Sequence, residues 1–221
     1  NAFSSSPFGG VHKGFYEAFQ NVWYDEMPSL QTSGAAQAKE GLWSYLKRRG
    51  YIDGRPIYFA GHSLGGALAT IGSVHLEFGG CAPKNAVTLS TSHVTLENVG
   101  GCRYGTDANE RPLALPVTAL YTYGAPRAGD VRFARVAARI GGATKHGVAI
   151  RRYVRGADVV TKLPYFGFWH PTSDGRNEDE LVVPIAGTSS KSSLWSMEDH
   201  RLPGYMAELR RQLDPSAEPP I

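Results

Sequence analysis

The stretch that decides the fold is residues 56–66, which read PIYFAGHSLGG. Its first half is a short apolar run, typical of a buried strand in a parallel sheet. Its second half has the pattern Gly-x-Ser-x-Gly around Ser63, and a helical pattern follows from Ala67 to Phe78. A serine on a sharp turn between a strand and a helix projects its hydroxyl above the sheet. This context, more than the pentad itself, predicts that Ser63 is a nucleophile.

The residue after the serine has a predicted role of its own. The backbone N–H of Leu64 lies in the turn just before the helix predicted from Ala67. A helix N-terminus presents N–H groups and partial positive charge, which suit a developing oxyanion. Leu64 is therefore the expected first oxyanion donor.

Outward from this stretch, helices alternate with strands. Apolar spacing predicts further helices over Val11–Met27, Ala35–Arg49, Val131–Ile140 and Pro203–Leu213. Strands are predicted at Pro56–Ala60, Val117–Tyr123, Val148–Val154 and, as an edge strand, Leu181–Ile185. This order predicts an α/β fold with a mostly parallel central sheet and helices on both faces. Residues 79–116 form an excursion, in which Val87–Val99 has the pattern of a hairpin.

The bulk composition sets limits on size and partners. The chain has 221 residues, of which 42% are hydrophobic and 19% charged, so a single globular domain over residues 1–221 is expected. A net charge of +3 without a basic tract argues against nucleic acid as a partner. No apolar run approaches the ~20 residues of a membrane span. No metal or other cofactor is expected, because the sequence has no CxxC or HExxH cluster.

A serine nucleophile needs a base and an acid to activate it. When the order along the chain is serine, acid, histidine, the acid follows a later strand. Asp158 and Asp130 each follow a predicted strand, and position alone allows either. Asp130 has an alternative role as the N-cap of the helix from Val131, which favours Asp158. The histidines after these acids are His146, His170 and His200.

Several segments together resemble the fungal-type, or class 3, lipases of the α/β-hydrolase superfamily. They occur in the family's order along nearly the whole chain: Val11–Phe15, Gly61–Ala69, Tyr123–Asp130, Asp158–Pro164, and Asp199-His200 followed by Tyr205. The resemblance implies that Asp158 is the triad acid and His200 the base. Val160-Thr161 stands where the family usually has Val-Pro.

The resemblance also implies a departure at the front of the chain. Relatives have strands and a loop before the Val11–Phe15 segment, and that loop supplies the second oxyanion donor. Here only residues 1–10 precede Val11, and they show no obvious strand or donor motif. The N-terminal strands of the usual fold are therefore expected to be missing, and the second donor and any lid are not assigned.

The leading functional hypothesis is hydrolysis of a lipid acyl ester, in a triacylglycerol or phospholipid, at a membrane or lipid–water interface. The apolar residues 163–169 after the acid are a candidate acyl groove, with core packing as the alternative. A carbohydrate-type feruloyl or acetyl esterase and a non-catalytic lipase-like binding domain are the other hypotheses. A disulfide between Cys81 and Cys102 and the oligomeric state stay open, and secretion is slightly favoured over the cytoplasm.

Overall fold

The computed structural model describes residues 3–6, 8–24, 40–50, 55–77, 82–83, 99–100, 117–140, 149–172, 181–187 and 196–213. Its strands are β1 (Phe3–Ser6), β2 (Gly9–His12), β3 (Tyr58–His62), β4 (Ala82–Pro83), β5 (Val99–Gly100), β6 (Ala119–Tyr123), β7 (Ala149–Arg155) and β8 (Val182–Ile185). Its α-helices are α1 (Lys13–Trp23), α2 (Leu42–Arg48), α3 (Leu64–Glu77), α4 (Val131–Ala137) and α5 (Leu202–Leu213), and a short 3₁₀ helix spans Val159–Lys162.

The central sheet has four strands in the described ranges, in the order β3-β6-β7-β8. All three neighbouring pairs are parallel. The carboxyl ends of the strands therefore meet at one edge, where α/β folds place their functional loops. β1 with β2, and β4 with β5, form separate antiparallel pairs.

Helices lie on both faces of this sheet, as predicted. On one face α3 packs closely enough that a Cβ at Gly72 would meet the ring of Phe59. On the other face α5 brings Tyr205 into ring contact with Tyr123 and His62. The sequence prediction of an α/β sheet covered on both sides is confirmed.

The hydrophobic core lies on the α3 side of the sheet. α3 is buried on nearly every side, which is why its sequence is apolar or small all round. Large side chains of α1, α3, α4 and β6 fill the core, among them Phe19, Trp23, Ile71, Leu120 and Phe133. This packing makes a rigid base for the turn at the end of β3.

The N-terminal segment differs from the sequence prediction. Residues 1–10 were expected to hold no strand and Val11 to begin a helix, but β1 and β2 form a hairpin and α1 begins at Lys13. The reason is tertiary. Gly10 exchanges hydrogen bonds with Asp130, and His12 N–H donates to the Ala128 carbonyl. These long-range bonds outweigh the helical spacing of the side chains.

Other predictions are refined or lie outside the described residues. The helix expected over Ala35–Arg49 is described as α2, and the one expected over Pro203–Leu213 as α5. Cys81, Cys102, His146 and most of the predicted hairpin at Val87–Val99 lie outside the described ranges. None of the helices in those ranges has the length and apolar character that crossing a bilayer requires.

Candidate active site

The turn after β3 holds Ser63 in a strained conformation. Ser63 has φ of 55°, in the left-handed region that L-residues other than glycine rarely adopt. Its N–H donates to the Tyr123 carbonyl at 3.0 Å, and its carbonyl accepts from Gly66 N–H at 2.9 Å. A Cβ at Gly61 would collide with the backbone of Gly65. The glycines of the pentad therefore permit the close strand–helix approach that lifts the serine hydroxyl.

Three side chains far apart in sequence meet at this turn. His200 Nε2 lies 2.8 Å from Ser63 Oγ. His200 Nδ1 lies 3.0 Å from both carboxylate oxygens of Asp158. The hydroxyl, imidazole and carboxylate thus form one continuous hydrogen-bonded chain. This is the geometry in which a base withdraws the serine proton while a carboxylate stabilises the resulting imidazolium.

Asp158 is 1% exposed and satisfied from several directions. Val160 N–H donates to its Oδ1 at 2.9 Å, which caps the 3₁₀ helix, and Tyr205 Oη donates to its Oδ2 at 2.7 Å. Burial raises the pKa of Tyr205, and the carboxylate raises it further, so the hydroxyl stays protonated and donates. Gly124, at φ of 58°, leaves the space beside this carboxylate, since a Cβ there would lie 2.5 Å from Asp158 Oδ2.

A buried ion pair fixes the loop that carries His200 to the loop that carries Asp158. Arg155, at the end of β7, lies 3.5 Å from the fully buried carboxylate of Asp199. Asp199 also accepts from Ala157 N–H at 3.0 Å. Gly156, with φ of 48°, leaves room for this carboxylate, because a Cβ there would collide with it. Both loops are thereby held to the same strand end.

Asp130 and His170, the other candidates for acid and base in the described residues, have hydrogen-bond partners of their own. Asp130 accepts from Phe133 N–H at 2.8 Å and caps α4, in agreement with its alternative role. His170 is buried, and its Nε2 donates to the Thr161 carbonyl at 2.7 Å. Burial, reinforced by Arg152, holds the pKa of His170 well below its usual value. Neither residue enters the Ser63–His200–Asp158 chain.

Sequence reasoning missed two residues of the site. Tyr205 was noted only as part of a motif, and His62 appeared only within the quoted stretch 56–66. In the structure Tyr205 donates to Asp158, and His62 Nε2 donates to the His200 carbonyl. A buried tyrosine hydroxyl needs a hydrogen-bond partner, but it is the structure that shows Tyr205 to be the buried residue of α5.

Replacing Tyr205 with Phe tests the tyrosine hydroxyl. The change deprives Asp158 Oδ2 of one donor and leaves Arg155 N–H, which now donates to Tyr205 Oη at 3.0 Å, without its acceptor. Stability is expected to fall by roughly 1–3 kcal/mol, the usual cost of buried groups left unpaired. Chemical denaturation measures this loss. An unchanged midpoint would contradict the contact.

The fold and the geometry of the site define the class. A parallel sheet with a strained serine at a strand–helix turn, and with an acid and a histidine on later loops, is the α/β-hydrolase arrangement. Residues 2–108, just under half of the chain, match the family model Lipase (class 3). The match confirms, over that segment, the resemblance to class 3 lipases drawn from the motifs.

Solved structures similar to this chain are fungal lipases. A propeptide complex of Rhizomucor miehei lipase is 25% identical over 73% of this chain and 36% of its own, with a TM-score of 0.41. Lipase II of Rhizopus niveus is 22% identical over 86% of this chain and 51% of its own, with a TM-score of 0.43. Lip2 of Yarrowia lipolytica is 17% identical over 83% of this chain and 45% of its own, with a TM-score of 0.47. The chain thus spans about a third to a half of these lipases. A comparison with curated protein sequences found no match.

Proposed function

We propose that this protein is a serine ester hydrolase of the lipase type, with Ser63 as nucleophile, His200 as general base and Asp158 as the acid that orients it. The observation that carries the proposal is the unbroken chain of hydrogen bonds from Ser63 Oγ through the imidazole to the carboxylate. The match of residues 2–108 to class 3 lipases supports the lipase type and includes Ser63, whereas Asp158 and His200 lie beyond the matched segment.

The proposed reaction proceeds through an acyl-enzyme. His200 Nε2 accepts the Ser63 proton as Ser63 Oγ forms a bond to the ester carbonyl carbon. The tetrahedral intermediate expels the alcohol, which receives that proton from His200. Water then attacks the acyl-enzyme, giving its proton to His200, and the acid leaves as Ser63 recovers its proton. The buried carboxylate of Asp158 keeps the proton of neutral His200 on Nδ1, so that Nε2 is free to accept.

The backbone N–H of Leu64 is proposed to stabilise the oxyanion of that intermediate. Leu64 is the first residue of α3, so its N–H has no carbonyl one turn earlier within the helix. The strained turn at Ser63 directs the N-terminus of α3 toward the region where the oxyanion would form. A second donor is not assigned.

A covalent probe tests the nucleophile. A fluorophosphonate is expected to label the native chain at Ser63 and to leave Ser63→Ala unlabelled. Ser73→Ala serves as the matched control, because Ser73 lies within α3 and its hydroxyl donates to the Thr70 carbonyl of the same helix. The control is expected to label like the native chain. A native chain that stays unlabelled would favour the non-catalytic, lipase-like alternative.

The apolar surface of the site-bearing segments favours a lipid ester as substrate. Seven of the eleven exposed large apolar side chains in the described ranges follow Ser63, follow Asp158 or flank His200: Leu64, Leu163, Tyr165, Phe166, Met197, Leu202 and Met206. Exposed apolar side chains favour contact with apolar ligands, and here most of them lie on the segments that carry the proposed site.

Residues 163–169, which follow Asp158, had two expected roles, an acyl groove and core packing, and different residues of the segment suit each role. Phe168 is buried and packs against the ring of His12, with 5.3 Å between ring centroids. Tyr165 and Phe166 are exposed, and residues 165–169 with Arg127 line a depression of about 320 Å³. We infer that Phe168 serves the core while Tyr165 and Phe166 are available to an acyl chain.

Replacing Phe166 with Ser tests this assignment. Phe166 is 84% exposed, so the fold is expected to tolerate the change. Burying a phenyl ring against lipid is worth about 1.5–3 kcal/mol, so hydrolysis of emulsified long-chain esters should fall by about 10- to 100-fold at limiting substrate. Hydrolysis of a soluble acetyl ester should not change. Leu213→Ser, at an 87% exposed residue at the end of α5, is the matched control. Equal rates on long chains for Phe166→Ser and the native chain would contradict the role.

A further inference from the structure

His62 occupies a position that links the nucleophile to the base. It is the last residue of β3 and directly precedes Ser63. Its Nε2 lies 2.7 Å from the main-chain carbonyl oxygen of His200. A carbonyl oxygen only accepts, so the proton sits on His62 Nε2, which donates it. The side chain of one strand end therefore holds the backbone of the loop that carries the proposed base.

The two histidine rings also pack against each other. The imidazoles of His62 and His200 are stacked with 4.8 Å between centroids and 28° between planes. The His62 and Tyr205 rings also meet in a T-shaped arrangement, with 5.7 Å between centroids. The His200 ring is thus fixed on one face by His62, while its two nitrogens are used by Ser63 and Asp158.

Such a link is needed because the nucleophile and the base are 137 positions apart along the chain. Ser63 is held by β3 and α3. Asp199 anchors the loop of His200 to the loop of Asp158, and the bond of His200's own N–H, to the Met197 carbonyl, is local, so the His62 bond ties this loop to the side of Ser63. A base displaced by about 1 Å from its nucleophile costs on the order of 100-fold in rate. Two adjacent residues meet both needs here: Ser63, in the turn after β3, presents the hydroxyl, and His62, the last residue of β3, holds the loop of the histidine that meets it.

We infer that His62 is a positioning residue: it keeps the His200 imidazole in line between Ser63 and Asp158 through its hydrogen bond to the His200 carbonyl and its stacking on the ring. The inference rests on the proposed function. His62 exchanges no proton with the reacting serine, and its effect passes through His200.

Three substitutions separate the two contacts. His62→Phe keeps a stacking ring without a donor, His62→Gln keeps a donor without a ring, and His62→Leu keeps neither. Tyr58→Leu is the matched control, because Tyr58 lies on the same strand and the same face and is 59% exposed. On a soluble short-chain ester, His62→Leu is expected to lower kcat by about 10- to 100-fold with KM unchanged, and the two partial variants to lie between.

A second readout reports the position of His200 directly. The Nδ1 proton of His200, hydrogen-bonded to Asp158, is expected to give a downfield proton resonance. This resonance should broaden or shift in His62→Leu and stay in place in Tyr58→Leu. Native kcat in His62→Leu, or a kcat loss that Tyr58→Leu reproduces, would overturn the inference. If the native chain neither turns over nor labels with fluorophosphonate, the proposed function fails. In that case the resonance alone tests the positioning role. A resonance that is unchanged in His62→Leu overturns the role, and a resonance that is displaced in this variant supports it.

Discussion

His200→Ala is expected to lower kcat for ester hydrolysis by on the order of 10⁶-fold, the loss seen when a serine protease loses the histidine base of its triad. Without the imidazole 2.8 Å from its oxygen, Ser63 has no group to accept its proton. The same variant should react with fluorophosphonate far more slowly. The effect is measured from initial rates with a chromogenic ester. The assay runs for hours, so that the slow turnover of the variant can be detected.

Free imidazole is the control for this variant. The substitution leaves a space beside Ser63 and Asp158, so added imidazole should restore part of the lost activity in a concentration-dependent way. The same imidazole should leave Ser63→Ala inactive, because the nucleophile itself is missing. A His200→Ala chain that retains native kcat would contradict His200 as the base.

Asp158→Asn is expected to lower kcat by about 10⁴-fold while leaving the fold intact. An amide presents an N–H donor where the carboxylate presents only acceptors. Facing His200 Nδ1, that donor favours the tautomer with its proton on Nε2, which cannot accept from Ser63. The loss of the negative charge also removes the stabilisation of the imidazolium. Turnover on a soluble ester and the thermal unfolding midpoint are measured together. A loss of kcat with an unchanged midpoint assigns the effect to the chemistry and not to a loss of fold.

Asp130→Asn is the matched control, since Asp130 is the acid that sequence position alone left as an alternative. Its carboxylate caps α4 and accepts from Gly10 N–H at 2.7 Å. Asn can keep the cap through its amide oxygen, but its NH2 group cannot accept from Gly10 N–H. Stability should therefore fall by roughly 1–3 kcal/mol, while activity should stay within about a factor of two. A large kcat loss for Asp130→Asn with native kcat for Asp158→Asn would reverse the assignment of the acid.

Local pattern predicted the central elements of the fold well. Each strand of the sheet lies within two residues of its predicted start, as for Val148–Val154 against β7 and Leu181–Ile185 against β8. Buried strands and helices have periodic side chains, so short windows of sequence identify them. The hairpin at the N-terminus was missed because bonds to Ala128 and Asp130, far along the chain, decide it.

The three proposed catalytic residues were nominated from chain order and family motifs, and the structure brings them together. The order serine, acid, histidine and the Asp199-His200 pair provided that information. No such pattern marked Tyr205 as a donor to Asp158 or His62 as a contact of the His200 loop. Their partners lie 47 and 138 positions away.

By itself, the sequence of this protein determined which segments are strands and helices, and it placed the serine on a turn that only glycine neighbours permit. Those properties depend on side-chain periodicity and local backbone sterics, which neighbouring residues specify. Only the tertiary structure decided which groups surround the imidazole, because hydrogen bonds, stacking and an ion pair such as Arg155–Asp199 join groups that meet only once the sheet and its loops are assembled.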